Sequence, residues 1–154
     1  MTGCELTRVH TIHQTPRMLI HATTVAIGGK GVLIRGAPGS GKSDLALRLI
    51  DAGARLVADD QTEIARVGRG LVARAPKTIF GKLEVRGIGI VKVRAVKQAR
   101  LVLAVDLVRP DQVERLPDPE WVELLNVRIP LIRLAPFEIS APAKLRLALG
   151  VASR

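Results

Sequence analysis

Eight consecutive residues carry the densest chemistry in this chain. Gly36-Ala37-Pro38-Gly39-Ser40-Gly41-Lys42-Ser43 fits G-x-x-x-x-G-K-[ST], the Walker A or P-loop pattern. Gly36, Gly39 and Gly41 allow backbone conformations that a Cβ would obstruct, so successive N–H groups can turn inward. Those N–H groups, with the positive end of a following helix, form a cradle for phosphate oxygens. Lys42 suits the β- and γ-phosphates as a point charge, and Ser43 can offer its hydroxyl to Mg²⁺. The expected ligands are therefore a nucleotide's phosphates, held along Gly36 to Ser43, and Mg²⁺. The competing reading is a Gly-rich turn between a strand and a helix.

The flanking elements suit that cradle. Val32, Leu33 and Ile34 form a short apolar run fit for a buried strand. After Lys42, Leu45, Ala46, Leu49 and Ile50 recur at helical spacing, with Asp44, Arg48 and Asp51 on the polar side and Gly53 as a stop. Upstream, Met18 to Ile27 reads as one strand carrying His21. Gly28 to Gly31 is a turn, and Val32 to Arg35 returns as the second strand of a hairpin. That hairpin sets His21 at the end opposite the turn, where the phosphate loop begins. Ala54 to Ala58 is a strand ending in Asp59-Asp60, and α/β sites lie at carboxyl ends of strands. On an extended strand these two acids point to opposite faces. One can then face the nucleotide while the other caps a turn or pairs with a base; a solvated turn is the alternative.

Gln61 to Val67, Leu71 to Arg74 and Ile79 to Val85 suggest short antiparallel strands. Glu84 opens a stretch whose Gly87 and Gly89 break a strand pattern, which predicts a bend or loop close to a ligand. Leu101 to Val108 is a strand with Asp106 in its apolar run. Pro110, Pro117 and Pro119 mark an irregular stretch containing Arg115. Trp121 to Leu125 reads as a helical turn or a strand. Pro130 divides Val127 to Leu134, as in an edge strand or two short pieces. Ala141 to Val151 reads as a terminal helix capped by Ser140. Residues 1–16 read as an edge strand or a loose lead-in.

Length and composition bound the class. A chain of 154 residues is expected to form one domain, spanning residues 1–154. Hydrophobic residues make up 47% but aromatics only 2%, so the core must be built from Val, Leu, Ile and Ala, as in an α/β protein. The single cysteine, Cys4, rules out an internal disulfide framework. Glu5 and Arg8 interrupt any signal-peptide pattern, and no apolar run approaches the ~18 residues of a membrane span, so a cytoplasmic protein is expected. The net charge of +10 attracts polyanions or acidic proteins. The scarcity of aromatics argues against a single-stranded nucleic-acid binder. The basic residues are spread along the chain, as suits an acidic protein partner, a bound nucleotide or a generally basic surface.

A P-loop enzyme needs a second acid for the metal and a group that orients or deprotonates the nucleophile. Asp59, Asp60, Glu84 and Asp106 compete for these roles, and Asp106 is disfavoured because its strand continues on both sides. Here the residues carry a family pattern. His21, GAPGSGKS, ARLVADD and LEVRGIGIV, in that order, resemble the catalytic domain of bacterial HPr kinase/phosphorylase over about residues 18–116. The resemblance implies an α/β P-loop fold of the phosphoenolpyruvate-carboxykinase-like type, a mixed sheet with few helices. It implies ATP- and Mg²⁺-dependent phosphorylation of a serine in HPr, or in a nitrogen-system paralogue of this phosphocarrier, with phosphorolysis as the reverse. Carried over by motif, His21 is a catalytic histidine, Lys42 binds phosphate, and Ser43 and Glu84 hold the metal. Asp60 accepts the serine proton, and Arg115 matches a further arginine.

Three departures bound the comparison. The family's separate N-terminal domain has no counterpart here, so regulation through it is not expected. Ala37 and Pro38 replace an acidic and a small polar residue of the loop. Ala135-Pro136-Phe137-Glu138-Ile139-Ser140 stands where the family carries a P-G-R-N segment associated with phosphorolysis and partner contact. That difference favours the kinase direction and weighs against carrying over the family's hexamer. Two other classes remain open: a small-molecule kinase with Arg66, Arg69 and Arg74 on a phosphate-clamping lid, and a non-catalytic nucleotide-sensing module.

Overall fold

The computed structural model describes residues 15–154. The expected lead-in and Cys4 lie almost wholly outside them. Eleven strands and two α-helices follow in order: β1 (Arg17–Ile20), β2 (Ala22–Ile27), β3 (Lys30–Arg35), α1 (Lys42–Asp51), β4 (Arg55–Ala58), β5 (Thr62–Val67), β6 (Gly70–Arg74), β7 (Lys82–Val85), β8 (Gly89–Lys92), β9 (Ala99–Leu107), β10 (Glu120–Leu124), β11 (Val127–Leu134) and α2 (Ala141–Ala152). The result is an α/β fold with a mixed sheet and only two α-helices among the described residues, as the sequence implied.

The local signals explain most elements. Gly28 and Gly29, at φ +56° and +79°, form the two-residue turn between β2 and β3, a geometry that requires positive φ. Glycine at Gly31 meets a second demand: a Cβ there would come within 2.7 Å of the Arg100 carbonyl oxygen on β9. The main sheet runs β1-β5-β6-β9-β3-β2-β4, with β11 on β9 and β10 on β11. β9 is parallel to β3 along one edge, while its other edge is shared between β6 and β11. β7 and β8 form a separate hairpin.

The apolar residues divide between the two faces. Val32, Ile34, Leu103 and Val105 pack with Leu45 and Leu49 of α1 and Leu145 and Leu149 of α2. Leu33, Leu101 and Ala104 pack instead with Ile64, Leu71, Leu124 and Ile129. Leu101 and Leu103 face opposite ways despite their even spacing, because the register with β3 shifts between Gly31 and Val32. The sheet also folds back on itself. Thr62 of β5 donates to the Ala22 carbonyl at 2.9 Å and accepts from the Thr24 hydroxyl at 2.9 Å, joining β5 to β2 inside the core.

Four expectations change. The strand expected over Met18 to Ile27 is broken at His21, because β1 pairs only with β5 whereas β2 pairs with β3 and β4. Lys77–Ile79 is a 3₁₀ turn, so only Lys82–Val85 of the strand expected over Ile79 to Val85 forms. Pro130 does not divide β11: it faces Trp121 of β10, and pairing to β9 begins only at Leu131. Ser140 makes no side-chain cap, since at φ −79° and ψ −4° its backbone is already helical rather than extended. No helix among the described residues is long and apolar enough to cross a membrane.

Candidate active site

The site forms where β3 and β9, running parallel, end side by side. Arg35, the last residue of β3, and Asp106 are register partners and make a two-pronged ion pair at 2.7 and 3.0 Å. Asp106 is thereby committed to Arg35, which removes it from the competition for a metal.

The next residue, Gly36, begins the phosphate loop. A Cβ on Gly36 would overlap the Ser40 hydroxyl and press on Leu107. Gly39 and Gly41 sit at φ +77° and +104°. Both features are those of a tightly wound loop whose amides turn inward. The buried ammonium of Lys42 folds back on the loop, donating to the carbonyls of Gly36 at 2.8 Å and Ala37 at 3.1 Å. The Ser40 hydroxyl is buried without a hydrogen-bond partner inside the same loop.

Asp59 and Asp60, delivered by β4, diverge sharply. Asp59 is buried and accepts three hydrogen bonds: from Thr23 Oγ1 at 3.1 Å, Ser43 Oγ at 2.7 Å and the Glu84 amide at 3.0 Å. It therefore ties β2, the start of α1 and β7 together at one point. Asp60 has a φ of +65°, and the Gln61 amide reaches over it to the Asp59 carbonyl at 2.7 Å. This is a three-residue turn of a strained kind that non-glycine residues adopt rarely, Asp among the least reluctant. Thr23 stabilises it, accepting from the Asp60 amide at 3.1 Å while donating to Asp59. The turn leaves the Asp60 side chain exposed, and it lines the same cleft as Lys42, Ser43 and Glu84.

That cleft has a volume of about 510 Å³ and is lined by the phosphate loop, the first turns of α1, Asp60, the β7 end at Glu84 to Arg86, and Phe137. Of the expected site residues, Pro38, Gly39, Gly41, Lys42, Ser43, Asp60 and Glu84 thus come together. Gly36, Ala37 and Ser40 complete the loop behind them. His21 sits exposed in the bend after β1, beside the start of the phosphate loop as the hairpin register requires, but does not line the cleft. Arg115 is exposed on the irregular segment after β9 and does not line it either. The expected arginine lid is also elsewhere. Arg66 bonds the Leu125 carbonyl, Arg74 pairs with Glu63, and neither they nor Arg69 lines the cleft. Sequence reasoning left Asp59 among several candidates and missed Thr23 and Phe137. The adjacency of the two acids was the available signal for Asp59; nothing local marked the other two.

A further charge pair extends the edge. Arg133 of β11 is the register partner of Asp106 and donates to Glu120 of β10 at 3.0 and 3.3 Å. The hydrogen bond from Arg133 holds the Glu120 carboxyl below its ordinary range, and the same bond holds the guanidinium above its own.

These residues fit a nucleoside triphosphate and Mg²⁺. The loop is a cradle that Cβ atoms would fill, and it holds one unpartnered hydroxyl. Among the described residues no group of three or more His, Cys, Asp or Glu forms a metal cage. Mg²⁺ does not need one, being held by one or two carboxylates with phosphate oxygens and water. Ser43 and Glu84, which line the cleft, are donors of that type.

Comparison with known proteins agrees with this geometry. The family model described as HPr Serine kinase C-terminal domain matches residues 13–141. HPr kinase/phosphorylase of Brevibacillus brevis is 40% identical over 129 residues, covering 76% of this chain and 42% of the relative. The protein of the same name from Cupriavidus metallidurans is 36% identical over 130 residues, covering 77% of this chain and 40% of the relative. The chain thus spans about two fifths of the length of the curated relatives it matches. The solved Hpr(Ser) kinase/phosphatase from Coxiella burnetii superposes with a TM-score of 0.79 at 27% identity, covering 88% of this chain and 96% of that one. With a family model covering most of its length and relatives of this identity, the chain belongs to the HPr serine kinase C-terminal domain family.

Proposed function

We propose that this chain is an ATP- and Mg²⁺-dependent protein serine kinase whose acceptor is HPr or a related phosphocarrier of the phosphotransferase system. The observation that carries this reading is that Asp60 lines the same cleft as Lys42 and Ser43. The relatives' names support the choice of acceptor. A cytoplasmic location belongs to the same proposal.

The residues divide the work. The loop amides and Lys42 would hold the phosphates, Lys42 exchanging its present bonds to the Gly36 and Ala37 carbonyls for phosphate oxygens. Ser43 and Glu84 would hold Mg²⁺, which would supply charge neutralisation around the transferring group. Asp59 fixes the Ser43 hydroxyl and the β7 backbone relative to each other. A serine hydroxyl is a poor nucleophile at neutral pH, so it gains from a carboxylate placed to take its proton. Asp60 has that role, and returning the proton would serve phosphorolysis. His21, beside the loop, would orient Asp60 or bind phosphate, and Arg115 would act from the neighbouring segment.

The test is incubation with labelled ATP, Mg²⁺ and an HPr-like acceptor, followed by identification of the modified residue. Phosphoserine on the acceptor is expected, lost in Lys42→Ala and reversed by added phosphate if phosphorolysis operates. Transfer to a metabolite with no protein acceptor would instead identify a small-molecule kinase. Tight ATP binding with no transfer to any acceptor would identify a sensing module.

A further inference from the structure

The chain has only two phenylalanines, one tryptophan and no tyrosine. One of these few aromatic rings stands at the mouth of the phosphate cleft. Phe137 is 69% exposed yet lines the cleft beside Pro38, Gly41 and Leu47. It lies directly on the phosphate loop: a Cβ built on Gly41 would fall 2.9 Å from the ring's Cζ and 3.2 Å from Cβ of Pro136.

The ring is also held. Arg48 of α1 donates to the carbonyls of Pro136 and, at 3.4 Å, Glu138, and is itself steadied by Asp44 at 3.0 Å. Lys144 of α2 grips the Glu138 carboxylate at 2.8 Å. The segment carrying Phe137 is therefore clamped between both helices, with its aromatic face left to water. The single cation–aromatic contact among the described residues is between Arg128 and Trp121, on β11 and β10.

An aromatic face fixed in place but not buried gains most from a flat ligand. The cleft's volume of about 510 Å³ suits a drug-sized molecule rather than phosphate alone. Its lining is graded. Lys42, Ser43, Asp60 and Glu84 supply charge and hydroxyl, whereas Pro38, Leu47 and Phe137 supply apolar surface.

We propose that Phe137 is the stacking platform for the base of the nucleotide whose phosphates occupy the loop. The base is held by its face rather than read by hydrogen bonds, so purine triphosphates bind more tightly than pyrimidine triphosphates. This assignment rests on the nucleotide reading of the cleft given above. It gives segment 135–140 a role on the donor side of the reaction.

Titration calorimetry of the full chain with Mg·ATP and, separately, with magnesium tripolyphosphate separates the two layers. The wild type is expected to bind ATP more tightly than tripolyphosphate. Phe137→Ala is expected to lose about 5- to 150-fold in ATP affinity, the range set by base–aromatic stacking, with tripolyphosphate unchanged. Phe137→Trp should retain ATP affinity. Equal weakening of both ligands, or of neither, overturns the stacking role. So does a Phe137→Ala defect confined to the KM of the protein acceptor, which would make the ring a docking contact. Failure of the wild type to bind either ligand overturns the nucleotide reading itself, and the stacking role with it.

Discussion

Two adjacent carboxylates, Asp59 and Asp60, take opposite positions, and Thr23 is what separates them. Its hydroxyl donates to Asp59 and accepts from the Asp60 amide, holding one acid in the core while the other enters the cleft. Thr23→Val keeps the shape and removes both bonds. Buried Asp59 then loses a donor, and the strained Asp60 turn loses its anchor. An unfolding free energy lower by about 1–3 kcal/mol is expected in denaturant titration, the usual cost of stranding buried polar groups. Under the proposed function, phosphoryl transfer should fall while Mg·tripolyphosphate binding holds, and Thr23→Ser should restore both stability and transfer. Unchanged stability and transfer in Thr23→Val would show the bonds to be incidental. At this scale the sequence was half legible. Alternation along a strand placed the two acids on opposite sides, but which one turned inward depended on a threonine thirty-six residues away in the chain.

Among the elements, those set by neighbouring residues were readable and those set by distant pairing were not. The β2–β3 hairpin, the phosphate loop and α1 follow from Gly28-Gly29, the spaced glycines and an apolar helical face. The break at His21 follows from β1 joining β5 more than forty positions downstream, which no local pattern announces. α2 is a useful probe, because Leu145 is wholly buried against the face that also supports α1. Leu145→Ala should cost about 2–5 kcal/mol in denaturant unfolding, the range for truncating a fully buried leucine. A loss well under 1 kcal/mol would mean α2 is not seated there. The Glu120–Arg133 pair tests the edge beside the site. A carboxyl held below its ordinary range stabilises the fold above its unfolded pKa and loses that contribution as pH falls through the folded value. Glu120→Gln should therefore be slightly less stable than wild type at pH 7, and the gap should close on acidification below the carboxylate range. Exposure of both partners keeps the effect small. A gap that widens in acid would contradict the assignment.

For the whole molecule, composition proved a sound guide to class. With so few aromatics, both faces of the sheet had to be packed with aliphatic side chains, and they are. The folding-back of β5 and β6 and the sharing of one edge of β9 by β6 and β11 were not legible, because the alternation that marks a strand does not name its partners. The outcome is a sheet edge that brings the phosphate loop after β3, the first turns of α1, Asp60 after β4, the end of β7 and Phe137 into one cleft. Under the proposed function, Asp60 in that cleft takes the proton of an incoming serine hydroxyl. The most direct test of that role is Asp60→Asn, with Mg·ATP binding and transfer to an HPr-like acceptor measured on the same preparation. The expected result is ATP affinity close to wild type with transfer reduced about 10²- to 10⁴-fold, the usual worth of a general base. Transfer at the wild-type rate in Asp60→Asn would contradict it.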